Sequence, residues 1–203
     1  MFKLLRLVVT VMCIYGAFCL GSVLEDRQTL SDEVIRLHIV AASDQQEDQQ
    51  VKLQIRDAVV EKLRSAMEEA VSVADARAFL TENLDMIEET ANCVLQEAGF
   101  SEKVSVRFQR EAFETRVYDT FTLPAGVYES LRIVVGEGQG KNWWCVVFPS
   151  LCMPSTIDDF ADAAVGAGFS DTLTETVQKD TDRPVRFFVL DCLGKLQNFL
   201  FRG

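Results

Sequence analysis

The chain has 203 residues, with 20 Lys and Arg against 31 Asp and Glu and a formal net charge of −11. An acidic surface repels phosphate backbones and anionic lipid headgroups, which argues against a nucleic-acid partner. A single histidine, His38, excludes a zinc site built from several histidines, and the length suits one domain with a real core.

The N-terminus reads "MFKLLRLVVTVMCIYGAFCLGSVLED": Lys3 and Arg6, then an uncharged run from Leu7 to Leu24, then Glu25 and Asp26. That charge order is an export signal, with Cys19 and Gly21 at the −3 and −1 positions of a cut before Ser22. The run also reaches the lower end of the ~17–25 residues that a spanning helix needs, so an uncleaved anchor is the competing expectation. Residues 1–24 are therefore assigned as signal or anchor, and 25–203 as one extracytoplasmic domain. Without Lys3 and Arg6 the balance is 18 basic against 31 acidic residues, a net −13. Outside the cytoplasm a close cysteine pair persists as a disulfide, and Cys145 with Cys152 is the close pair; two buried thiols are the alternative.

"VIRLHIVA" (34–41) alternates Ile35, Leu37 and Ile39 with Arg36, His38 and Val40, as a half-buried strand does. Ser43 or Asp44 is the expected N-cap of a helix that buries Val51, Ile55, Ala58, Val59, Leu63 and Ala66 and ends near Ser72. A second helix is expected from Ala74 to Ala98, stopped by Gly99, so that the two form an αα-hairpin between strands. "KVSVRFQR" is a strand, with "FETRVYDTFTL" as its antiparallel partner. Pro124 and Gly126 are turn residues, and "SLRIVVG" and "WWCVVF" are strands joined by a glycine-rich run. A short helix capped by Thr156, a polar connection over 170–182 and a C-terminal helix begun by Pro184 complete the chain, with Phe199 to Phe201 expected to pack back on the domain and a membrane or partner contact as the alternative. The fold class is α+β: a mainly antiparallel sheet packed by the αα-hairpin and the C-terminal helix.

The chemistry concentrates in "GEGQGKNWWCVVFPSLC" (136–152). It is not a Walker loop, because only three residues separate Gly136 from Gly140 and Asn142 follows Lys141. Nor does it match a dinucleotide fingerprint, since Lys141 takes the place of the third glycine. A thiol oxidoreductase would hold its cysteines two residues apart at a helix start, and Cys145 and Cys152 are farther apart, with Cys145 in a strand. His38 has no nucleophile pattern beside it, and an abundance of acids does not select a catalytic pair. The remaining reading is a rigid recognition surface. Gly136, Gly138 and Gly140 permit positive φ and hold Lys141 and Asn142 at a tip, adjacent Trp143 and Trp144 point to opposite faces so that one joins the core while the other is presented outward or lies under the loop, and Pro149 stiffens the far side. Core aromatics beside a hairpin turn are the plainer alternative.

The motifs "IRLHIVAASDQQEDQQVKLQIRDAV" and "LPAGVYESLRIVVGEGQGKNWWCVVFPSLC", behind an export signal, resemble the stage II sporulation protein R family of endospore-forming Firmicutes. The matching positions include Arg36, His38, Asp44, Arg132, Gly136, Glu137, Gly138, Gly140, Asn142, Trp143, Trp144, Cys145, Phe148, Pro149 and Cys152, with departures at Ala42, Val127 and Ser150. The resemblance implies a protein exported from the forespore into the intermembrane space. There it would activate a membrane-embedded aspartic protease that processes the precursor of mother-cell sigma factor E. The expectation is a binding signal and not an enzyme, with no cofactor and no metal. Its contacts would be Glu137, Lys141, Asn142, Trp143, Trp144 and Phe148, on a scaffold of Arg36, His38, Asp44, Arg132, Gly136, Gly138, Gly140 and Pro149. The alternatives are an exported hydrolase acting on cell wall or pro-protein, and a thiol-disulfide protein.

Overall fold

The computed structural model describes residues 2–149, 157–179 and 182–202. The elements in chain order are α1 (Phe2–Glu33), β1 (Ile35–Val40), α2 (Gln46–Glu69), α3 (Val73–Glu82), α4 (Leu84–Glu97), β2 (Val104–Phe113), β3 (Arg116–Val117), β4 (Thr122–Leu123), β5 (Gly126–Val135), β6 (Asn142–Phe148), α5 (Ile157–Gly166), α6 (Asp171–Val177) and α7 (Pro184–Arg202). Four strands form the main sheet in the order β2-β5-β1-β6. Only the β1–β5 pair is parallel; β2–β5 and β1–β6 are antiparallel, so the fold is α+β as expected.

β1 lies between β5 and β6, and all six of its residues are buried, including Arg36 and His38: helices cover one face, while Phe113, Tyr118 and Trp144 cover the other. This corrects the half-buried strand: alternation describes which face a residue takes, and what packs on that face decides whether it is wet. Ile35, Leu37 and Ile39 face the α2–α4 side, where Ile55, Val59, Leu63, Leu80, Ile87 and Leu95 complete the core. The alternate residues of β1 meet Ser130, Arg132, Val146, Trp144 and Asn142 on the opposite face.

Several local expectations change. The α2 N-cap is Gln45 and not Ser43 or Asp44; its side chain makes no capping bond. The second predicted helix is two helices, α3 and α4, which meet at Asn83, and Ser72 starts α3 with a capping box to Asp75. The antiparallel partner of β2 is β5, while the "FETRVYDTFTL" segment folds into the small β3–β4 pair. Gly126 begins β5 instead of forming a turn. The supposed polar connection contains α6, which buries Leu173 and Val177. The Thr156 cap lies outside the described residues.

Helix α1 runs without a break past the apolar segment to Glu33, and its first part is long and apolar enough to cross a membrane. Its last turns belong to the domain. Leu30 is buried, and the Ser31 hydroxyl donates to the Val127 carbonyl at 2.8 Å. Helix α7 lies beside it: Arg186 bonds the Asp26 carboxylate and the Ser22 carbonyl, and Gln197 accepts from the Val127 amide. Asp191 fixes α7 to the sheet by accepting from the Ala125 N–H at 2.9 Å and from the Thr115 hydroxyl. Phe199, Leu200 and Phe201 do not pack back; they remain exposed.

Candidate functional site

The glycine-rich run is not a hairpin turn. It carries the chain from β5 across the end of β1 to β6, because β6 pairs with β1 and not with β5. Gly136 and Gly138 have the expected positive φ, 57° and 65°. Gly140 does not, and glycine is required there by space: a Cβ would lie 2.2 Å from the Ser43 carbonyl oxygen. The run is strapped to the segment after β1. The Gln139 N–H donates to the Ala42 carbonyl at 3.1 Å, the Gly140 N–H to the Ala41 carbonyl at 2.9 Å, and the Lys141 N–H to Asp44 Oδ1 at 2.7 Å. Asp44 thus bonds the loop and does not cap the helix. Beneath the crossing, Lys52 is buried and donates to the Lys141 carbonyl at 3.0 Å and to Gln49 Oε1 at 2.6 Å. Burial pushes the Lys52 pKa down.

A polar cluster lies next to the crossing, on the face of β1 away from α2. His38 Nε2 contacts Asn142 Oδ1 at 2.8 Å, and Nδ1 lies 3.2 Å from the Glu111 carboxylate, which also accepts from Arg132. The Trp144 ring stacks on His38 at 3.8 Å, Phe113 meets Trp144 edge-on, and the Arg116 guanidinium sits 5.0 Å from the Trp144 ring centre. Desolvation alone would raise the Glu111 pKa, but the hydrogen bonds from His38 and Arg132 outweigh it and hold the carboxyl at about 2. Glu111 is therefore a fixed negative charge. With the Asn142 oxygen facing Nε2 and a carboxylate facing Nδ1, both ring nitrogens of His38 are engaged by acceptors within the protein. Farther along β1, Arg36 is fully buried, donates to the Tyr118 hydroxyl at 2.7 Å and lies over the Phe113 ring at 4.1 Å.

The two tryptophans do point to opposite faces, and both are half-buried against the core. Trp143 lies under the Arg56 guanidinium, 4.5 Å from its ring centre, so neither ring is the outward anchor expected. Phe148 is a correction of the same kind: it is 5% exposed and belongs to the core. Pro149 is buried. Cys145 is buried and disulfide-bonded, while Cys152 lies outside the described residues. Of the expected contacts, Glu137, Lys141 and Asn142 are exposed.

Glu137 opens onto a cleft of about 660 Å³ at the carboxyl ends of the parallel pair β1 and β5. Ser43, Glu47, Asp48, Glu102 and Gln139 line it with the Phe100 region. Glu47, Asp48, Glu102 and Glu137 give this cleft an acidic lining. The cleft walls come from three loops far apart in sequence, and of its lining only Glu137, as a contact, and Gly136, as scaffold, were among the expected site residues. Among the described residues, no group of three or more His, Cys, Asp or Glu side chains could hold a metal ion.

A family model for stage II sporulation protein R matches residues 31–158, from the last turn of α1 to the start of α5, and so includes the crossing, the polar cluster and the cleft. Stage II sporulation protein R of Bacillus subtilis (strain 168) is 39% identical over 123 residues, covering 61% of this chain and 55% of that relative. The aligned part thus spans about half the length of the relative. No solved structure matches the chain. The role is a sporulation-related one, and the chain belongs to the stage II sporulation protein R family.

Proposed function

We propose that this protein is an exported sporulation signal that binds a membrane-embedded aspartic protease and activates it, leading to processing of the precursor of mother-cell sigma factor E. The observation that carries the reading is the family match over 31–158. The apolar part of α1 supports it, because it is compatible with a signal peptide or an anchor, as a domain acting outside the membrane requires.

The surface assigned to the receptor is the rim around the crossing: Glu137 and Lys141, exposed beside the acidic cleft, with Asn142 and the edges of Trp143 and Trp144. The straps to Ala41, Ala42 and Asp44 hold this rim before a partner arrives, so little ordering entropy is lost on binding. Activation then requires that the domain bind the active protease conformation more tightly than the resting one; equal affinity would shift nothing.

Co-expression tests the reading. This chain, the protease and the precursor are produced in a host that has none of them, and precursor cleavage is followed. Cleavage that needs all three components, and needs export of this chain, is the expected result. Cleavage without the protease would make this chain the enzyme and overturn the proposal, as would absence of cleavage with verified expression and export.

A further inference from the structure

Helix α7 lies beyond the family match and carries an exposed stripe of Val185, Phe188, Cys192, Leu196 and Phe199. The four apolar members are 56% to 75% exposed, although the opposite side of the helix is pinned to the sheet through Asp191 and Asn198. The stripe is symmetric about Cys192: Phe188 and Leu196 lie four residues to either side, Val185 and Phe199 seven. Residues at this spacing share one face of a helix, about two-sevenths of its circumference, which is the geometry of a helix-pairing seam. Lys195 is the charged residue beside the seam, and it is paired with Asp191 of its own helix at 2.8 Å, so two copies meet without an unpaired like charge.

We propose that α7 is the surface through which two copies of this chain associate, parallel and side by side, with Cys192 facing Cys192. Direction follows from the packing on α1. Arg186 bonds Ser22 and Asp26, whereas Gln197 and Ser31 both bond Val127, so α7 and α1 run the same way. A parallel α7 pair therefore sends both α1 helices out on the same side, as one membrane requires. A lipid surface fits the stripe less well. From Val185 to Phe199 the helix advances about 21 Å along α1, so its far end leaves the plane in which α1 would emerge. The patch offers on the order of 500 Å² per chain, counting its two phenylalanines and three aliphatic neighbours, Leu200 included. A pair would bury about 1,000 Å², the lower range for a specific interface. Holding both chains in one membrane raises their effective concentration and makes that area sufficient.

The test is oxidative cross-linking of the full chain in membranes. In one variant Cys192 is the only free cysteine, with Cys13, Cys19 and Cys93 changed to Ser; in the control Cys93, exposed on α4, is the one retained. With a mild copper oxidant, the Cys192 chain is expected to form about tenfold more disulfide dimer than the control, as a tethered pair with facing thiols would. Phe188→Asp with Phe199→Asp should abolish the dimer with an unchanged unfolding midpoint. Val185→Cys, placed in the chain lacking all four free cysteines, should cross-link to itself, as only the parallel arrangement allows. Equal cross-linking at Cys93, or dimers that persist in the double Asp variant, would each overturn the proposal.

Discussion

Glu111→Gln tests the polar cluster most sharply. The carboxyl is held at about 2 against an ordinary value of 4.5, because His38 and Arg132 both bond the ionised form. At 1.36 kcal/mol per unit, that difference corresponds to about 3 kcal/mol of stability carried by the charged form. The sign is that of a depressed acid: the stability is fully present above pH 4.5 and is lost as the pH falls toward 2. Gln keeps the shape and loses the charge. Urea unfolding of the purified full chain in detergent, followed by tryptophan fluorescence, should therefore show the variant about 3 kcal/mol less stable at pH 7. The gap should close between pH 4.5 and 2, while the remaining acids titrate alike in both proteins. A variant that loses under about 0.5 kcal/mol at pH 7, or a gap that does not depend on pH, would refute the assignment of Glu111 as a buried fixed charge.

Gly140→Ala should cost about 3 kcal/mol, because relieving the contact with the Ser43 carbonyl breaks the bonds from Gly140 to Ala41, from Lys141 to Asp44 and from Lys52 to Lys141, each worth about 1 kcal/mol. The same urea titration measures it, and a loss below about 1 kcal/mol would mean that the crossing is not held as described. Trp144→Ala should destabilise by about 3 kcal/mol, since the ring packs on His38 and Phe113. Loss of precursor processing in that variant would then report loss of fold, and normal stability would contradict the packing. Lys141→Glu combined with Glu137→Lys changes only exposed side chains, so its unfolding midpoint should stay within about 0.5 kcal/mol of the parent while processing falls sharply. Normal processing by this variant would move the receptor surface elsewhere.

The strands were legible because runs such as "IRLHIV" and "LRIVV" pair β-branched residues with alternation. Their neighbours were not: period two assigns faces, and nothing in it says that β1 lies between β5 and β6. That missing fact changed the most. It turned the glycine run from a hairpin into a crossing, buried Arg36 and His38, and placed Phe148 in the core. Arg36, His38, Asp44 and Arg132 were singled out by resemblance, but their partners were invisible. His38 and Glu111 lie 73 residues apart, and His38 and Asn142 lie 104 apart, with no motif joining them. Glu111 itself was missed, since one acid in an alternating strand carries no sign that a histidine and an arginine close on it. The helix break at Asn83 was hidden because the apolar stripe continues across it, whereas Gly99 stops α4 with φ 84° as anticipated. Phe199 to Phe201 were expected to pack back because an apolar terminus normally does so; the inner face of α7 is already filled by Leu190, Gly194 and Asn198.

The most direct measurement is equilibrium binding of the purified full chain to the detergent-solubilised aspartic protease, with the Glu137 and Lys141 charge-reversed variant alongside. Saturable binding that the variant loses, at an unchanged unfolding midpoint, is the predicted result. Absence of binding by the parent chain, or equal binding by the variant, would contradict the assignment of the loop crossing as the receptor surface.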